Sequence, residues 1–179
     1  MKALILYWSA TGNTEKIANT IRSRLEGVNI NAEFLKITDD LDVDVLEYDL
    51  VFLGSPAYQF LPPEPVINFV KNRMKYHNER RHVKLGAPKL PGKSAVTFCT
   101  FSGPHTGVNE AIPVGKYLGQ FFEHLGFEIK GEWYTVGEFH GRNELSSNGR
   151  LGNIIGRPNQ DDLAEIEKNV QELLKSINR

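Results

Sequence analysis

The sequence predicts a three-layer α/β/α sandwich, a five-stranded parallel sheet with helices on both faces. Three observations carry this. Short apolar runs of strand-forming residues alternate along the chain with longer segments whose apolar residues recur three and four positions apart. The clearest of these runs are apolar throughout, the pattern of strands buried on both faces. A length of 179 residues suits one domain with core enough for such a sheet, so residues 1–179 are read as a single domain.

The first run, Ala3 to Trp8, passes directly into Ser9-Ala10-Thr11-Gly12-Asn13-Thr14. From Glu15 the period changes to that of a helix, with Ile17, Ala18, Ile21 and Leu25 on one face and charged or polar residues on the other. The hexapeptide thus sits where a strand hands over to a helix N-terminus, with unpaired N–H groups and the positive end of the helix dipole. Three hydroxyls, an amide side chain and a glycine that lets the backbone curl make this an anion site suited to a phosphate. Helix capping alone needs one or two such residues.

Gly27 offers a helix stop, and Asn29 to Ile37 reads as the second strand. The acidic stretch Asp39, Asp40, Asp42, Asp44, Glu47 and Asp49 forms a short helix or turn with Leu41, Val45 and Leu46 inward, and is either a solvated face or a docking patch for a basic partner. Leu50 to Leu53 is the third strand. It opens into Gly54 to Pro63, a loop with three prolines and two aromatics, Tyr58 and Phe60, each of which either packs on a neighbouring helix or serves a flat ligand. A helix starts at Pro65, with Val66, Ile67, Phe69, Val70 and Met74 buried, and a basic, turn-rich stretch runs from Tyr76 to Gly92.

Ser94 to Phe101 is the fourth strand, opening into Ser102-Gly103-Pro104-His105-Thr106-Gly107. Val108 to Leu125 reads as one long helix and Phe127 to Val136 as the fifth strand. Residues 137–158 are a glycine-punctuated loop within the domain, a lid or an oligomer contact by its length. The last helix is capped by Asn159 and carries the stripe Leu163, Ile166, Val170, Leu173, Leu174 and Ile177.

Net charge is −1, which speaks against a nucleic-acid binder. No run is long and apolar enough to span a membrane, and a strand begins within two residues of Met1, so a cytoplasmic location is expected. The single cysteine, Cys99, excludes an internal disulfide and sits in an apolar strand. His77, His82, His105, His124 and His140 show no tight ligand spacing, so no metal is expected. His105 either reaches a substrate or sits in solvent. Parallel sheets bind ligands beyond the carboxyl ends of their strands, where the loops after the first, third and fourth strands converge.

The hexapeptide Ser9 to Thr14 resembles the phosphate loop of the flavodoxins, Thr/Ser-x-Thr-Gly-x-Thr, and matches it at every specified position. It matches neither the nucleotide P-loop nor the dinucleotide fingerprint. The resemblance implies strand order 2-1-3-4-5 and FMN as cofactor. Ser9, Ala10, Thr11, Gly12, Asn13 and Thr14 would hold its phosphate, with Tyr58 stacked on the isoalloxazine beside Pro56 and Ala57. Thr100, Phe101, Ser102 and Gly103 would offer donors to its polar edge.

Many flavodoxins have a glycine after that aromatic, and here Gln59 stands in its place. A turn needing positive φ there costs a non-glycine residue about 1 kcal/mol, so the one-electron-reduced flavin is expected to be less favoured. The resemblance therefore implies an electron-transfer protein acting with a redox partner protein. The alternatives are an FMN-dependent oxidoreductase using NAD(P)H and a quinone or other small acceptor, and a partner-binding module without catalysis. Near-neutral charge and Gln59 weigh against the carrier; the lack of a nicotinamide motif weighs against the reductase. No catalytic side chain is assigned.

Overall fold

The computed structural model describes residues 1–177. Its five strands, β1 (Ala3–Tyr7), β2 (Ala32–Lys36), β3 (Leu50–Pro56), β4 (Ser94–Phe101) and β5 (Glu128–Val136), form one parallel sheet in the order β2-β1-β3-β4-β5. Alternate residues of the central strands enter two separate cores, because successive side chains point to opposite faces. Ile5, Phe52, Val96 and Phe98 pack with helices α1 (Asn13–Glu26) and α5 (Gln160–Ile177) through Ile17, Ile21, Ile166 and Val170. Leu4, Leu6, Val51, Leu53 and Cys99 pack on the other side with α2 (Glu64–Glu79) and α3 (Ile112–His124) through Val66, Phe69, Leu118 and Phe122. This is the expected three-layer sandwich, with the expected strand order.

The ends of several elements differ from the sequence reading. β3 runs three residues past Leu53, through Gly54, because the ring of Phe98 on β4 fills the space where a side chain would be: a Cβ on Gly54 would lie 2.1 Å from it. α2 continues to Glu79, so Tyr76 to Glu79 is helical rather than part of the basic loop. The long helix expected from Val108 is two pieces, a 3-10 turn at Gly107–Glu110 and then α3, with Pro113 accommodated in the opening turn of α3. The acidic stretch folds as a 3-10 turn, Val45–Glu47, capped by Asp44.

The glycine-punctuated segment has regular structure of its own. It holds a short helix α4 (Asn143–Ser147), anchored by the fully buried Ser146, whose Oγ accepts from the N–H of Phe139 at 2.9 Å. Ile154 is buried as well, and its N–H donates to the Ser146 carbonyl. No described helix is long and apolar enough to cross a membrane.

Candidate functional site

At the carboxyl end of the sheet the turn after β1 is shaped from within. The N–H of Gly12 donates to Ser9 Oγ at 3.0 Å, and Gly12 takes φ +93°, a left-handed conformation that favours glycine. A Cβ there would meet nothing within 4 Å, so the inside of the turn is open. The first intrahelical bond of α1 runs from Lys16 N–H to the Gly12 carbonyl, which leaves the N–H groups of Asn13, Thr14 and Glu15 without helical acceptors. The carboxylate of Glu15, on the same turn, is engaged elsewhere: it accepts the phenol of Tyr7 at 3.1 Å. Burial, and that carboxylate, push the Tyr7 phenol above its ordinary range.

The three loops meet as expected. Trp8 N–H donates to the Gly54 carbonyl, Ala57 N–H donates to the Thr100 carbonyl at 2.9 Å, and the hydroxyls of Thr14 and Thr100 lie 2.7 Å apart in a buried contact. Of two bonded hydroxyls only one donates to the other, so the pair keeps one O–H to offer a ligand. Ser9, Asn13 and Thr14 are buried, Ala10 and Thr11 exposed. Pro56, Ala57 and Ser102 are half-buried, and Phe101 and Gly103 are buried. Tyr58 is 46% exposed and meets Trp8 edge-on, ring centroids 6.0 Å apart, which steadies the phenol ring while leaving a face open. Tyr58 and Leu61 exchange backbone hydrogen bonds around a tight turn whose central residues, Gln59 and Phe60, both have positive φ, +49° and +70°. The loop therefore has the left-handed geometry that glycine ordinarily serves, held here by glutamine and phenylalanine.

Asn13 differs from its expected part. Its amide donates to the carbonyl of Glu138 at 3.0 Å, and its Oδ1 lies 3.2 Å from His140 Nε2, so the side chain faces the 137–158 segment and leaves only its backbone N–H to the turn. The same segment secures the loop after β4. Ser102 Oγ donates to the Gly137 carbonyl at 2.8 Å and Arg150 N–H to the Pro104 carbonyl at 2.8 Å. Gly103 (φ +52°) sits against Gly107, whose carbonyl would be 2.7 Å from an added Cβ. His105 is exposed, its N–H bound by Glu110. Burial pushes the Cys99 thiol well up, so it is not a thiolate nucleophile.

The sequence reading missed Trp8, the only aromatic against Tyr58 among the described residues, and the clasp made by residues 137–158. A tryptophan directly before the turn was the available signal for the first. The acidic stretch offers less free charge than its composition promised: Asp42 pairs with Arg73, Glu47 with Lys2, Asp49 with Lys2 N–H and Lys93, and Asp44 caps the 3-10 turn.

Comparison with known proteins agrees with this geometry. A family model described as a flavodoxin domain matches residues 4–106, more than half of the chain. The flavodoxin of Megasphaera elsdenii is 40% identical over 53 residues, 30% of this chain and 39% of that protein. The flavodoxin-like domain-containing protein BilS of Clostridioides difficile is 43% identical over 54 residues, 30% of each chain. Those matches span well under half of either relative. Among solved structures, a flavodoxin from Streptococcus pneumoniae superposes with TM-score 0.68 at 19% identity, covering 98% of this chain and 99% of that one. Flavodoxin 2 from Bacillus cereus gives 0.66 at 17% over 98% and 99%. A flavodoxin, WrbA-like protein of Agrobacterium tumefaciens gives 0.63 at 14% over 99% and 97%. These likenesses under 25% identity speak to the fold; the family match, over more than half of the chain, says that the chain belongs to the flavodoxin domain family, whose members bind FMN.

Proposed function

We propose that the chain is a single-domain electron carrier that holds FMN at the carboxyl end of the sheet and exchanges electrons with a redox partner protein. The observation that carries this is the open turn Ser9–Thr14 at the start of α1, with its free N–H groups and the Glu15 carboxylate held by Tyr7. Bound there, FMN supplies the capacity to accept and return electrons. The residues around it bind and orient. The free backbone N–H groups of Asn13, Thr14 and Glu15, with the hydroxyls of Ser9 and Thr11 and the free O–H of the Thr14–Thr100 pair, would receive the phosphate. Tyr58, braced by Trp8, would cover the ring system, with Pro56 and Ala57 beside it. Backbone groups of Thr100 to Gly103 meet the ring's polar edge, on a loop fixed by Ser102 and Gly137.

The rim of this site exposes Tyr58, Phe60, Leu61, Val108 and Leu151, an apolar border that suits contact with another protein surface. Asp42, Glu47 and Asp49 of the acidic stretch are paired with Arg73, Lys2 and Lys93, which weakens its long-range steering, so association is expected to depend only modestly on salt.

One feature favours a second reading. A net charge of −1 is low for a carrier steered by charge, and an NAD(P)H oxidoreductase passing electrons to a quinone or other small acceptor needs no such steering. Anaerobic addition of NADPH or NADH to the FMN-loaded protein separates the two. A flavin spectrum that holds until dithionite is added supports the carrier; rapid bleaching by either nicotinamide rejects it in favour of the reductase. In the same assay, Thr11→Ala with Thr14→Ala should release FMN, and unchanged binding would remove the turn from the site.

A further inference from the structure

We propose a zinc-class divalent metal site at Asp44, His77 and His82, at the opposite end of the sheet from the FMN site. One ligand atom from each residue lies within 4.8 Å of the others. His77 Nδ1 is 3.1 Å from His82 Nδ1, and His77 Nε2 is 3.8 Å from Asp44 Oδ1. Ligand atoms around one tetrahedral zinc ion, at about 2.0–2.2 Å from the metal, stand roughly 3.3 Å apart; the ion would take the unpartnered Nε2 of His77, beside Asp44 Oδ1, and the His82 ring would turn from its contact with His77 Nδ1 to bring its ligand nitrogen in from within 4.8 Å.

The backbone explains how residues so spaced meet. α2 ends with Arg81 in the left-handed conformation, φ +58°. His82 N–H reaches back to the His77 carbonyl at 2.9 Å, and Arg81 N–H to the Asn78 carbonyl at 2.9 Å. That is the six-to-one and five-to-two closure of a Schellman motif, which sets its first and sixth residues side by side. An apolar pair ordinarily fills that contact; here two imidazoles do. Asp44 arrives from the 3-10 turn before β3, its Oδ1 accepting Leu46 N–H at 2.9 Å.

The second observation is the state of His77. Its side chain is fully buried, and Nε2 has no hydrogen-bond partner among the described residues. A buried polar nitrogen left unpaired is destabilising, a cost that a ligated ion removes. The pull of the α2 C-terminus also favours a cation. Cations nearby oppose it: Arg73, paired with Asp42, Arg80, over the Tyr76 ring at 3.6 Å, and Arg81 and Lys84 along the adjoining cavity. His82 is exposed and lines a cavity of about 350 Å³ with Arg80, Arg81, Lys84 and His124, so an ion can enter and keep a water or anion as its fourth ligand. Two imidazoles and a carboxylate suit zinc, cobalt or nickel rather than calcium or magnesium.

The test uses FMN-loaded protein stripped with chelator and dialysed. Titration with zinc should show one saturable ion per chain and a raised melting temperature, and cobalt should give the visible ligand-field absorption of a four-coordinate site. His82→Ala, at an exposed position, and Asp44→Asn, which keeps the cap, should each weaken zinc uptake at least tenfold while leaving the flavin spectrum unchanged. No saturable uptake by the unmodified protein, or uptake unchanged in either variant, overturns the site.

Discussion

The side-chain amide of Asn13, the first residue of α1, donates to the backbone carbonyl of Glu138, 125 residues later in the chain, at 3.0 Å. The turn after β1 and the segment after β5 are therefore tied together. Gly137 completes the fit, since a Cβ there would lie 2.7 Å from the same amide nitrogen. Asn13→Ala removes the bond and leaves the Glu138 carbonyl without it, a loss of about 1–2 kcal/mol. Urea denaturation should read that loss, and hydrogen exchange should quicken across residues 137–158 but not in β1 or β3.

The Thr14–Thr100 hydroxyl pair, buried at 2.7 Å, predicts non-additivity. Thr14→Val and Thr100→Val each strand one buried hydroxyl and should each cost about 1–2 kcal/mol, whereas the double variant replaces both partners by apolar groups of the same shape. Its cost should fall short of the sum of the singles. Additive losses would show that the two hydroxyls do not bond.

Gln59 and Phe60 hold left-handed backbone, at about 1 kcal/mol each for a residue with a Cβ. Gln59→Gly relieves that strain but gives the unfolded chain more freedom, so the net gain should be a few tenths of a kcal/mol. Gln59→Val, β-branched, should instead lose about 1–2 kcal/mol. Thermal melts of both variants check the sign.

Asp162 is buried at the start of α5. It accepts from Arg157 Nε at 2.9 Å and from Asn159 N–H at 2.8 Å. Burial works to raise its pKa, but the Arg157 guanidinium and the backbone donor outweigh it and hold the carboxyl below the usual range. A depressed folded-state pKa contributes stability that is present above the unfolded value, about 3.9, and lost as pH falls through the folded value. Stability measured by urea should decline below about pH 4, and Asp162→Asn should flatten part of that decline while losing about 1–3 kcal/mol at neutral pH.

Much of this was legible in the sequence, and the reason is locality. Ser9 to Thr14 lies in six consecutive positions between a strand and a helix, so its chemistry needs no knowledge of the rest of the fold. The core stripes on α1 and α5 were likewise set by spacing alone. Contacts between distant segments were not. Nothing near Asn13 announces Glu138, and nothing in β3 says that the ring of Phe98 will take the side-chain space of Gly54. The spacing of His77 and His82 did not show that their rings meet, because the turn that joins them has arginine, not glycine, in its left-handed position. The ion pairs of the acidic stretch were not legible from its composition, since its partners Lys2, Arg73 and Lys93 come from three other parts of the chain.

The central claim is that the turn after β1 grips the phosphate of FMN, and a paired titration of the apoprotein with FMN and with riboflavin tests it most directly. The two ligands share the ring system that Tyr58 would cover and differ only in the phosphate. With several charge-assisted hydrogen bonds from the turn, FMN should bind at least about a hundredfold more tightly, on the order of 3 kcal/mol. Equal affinities, or no binding of either flavin, would contradict it.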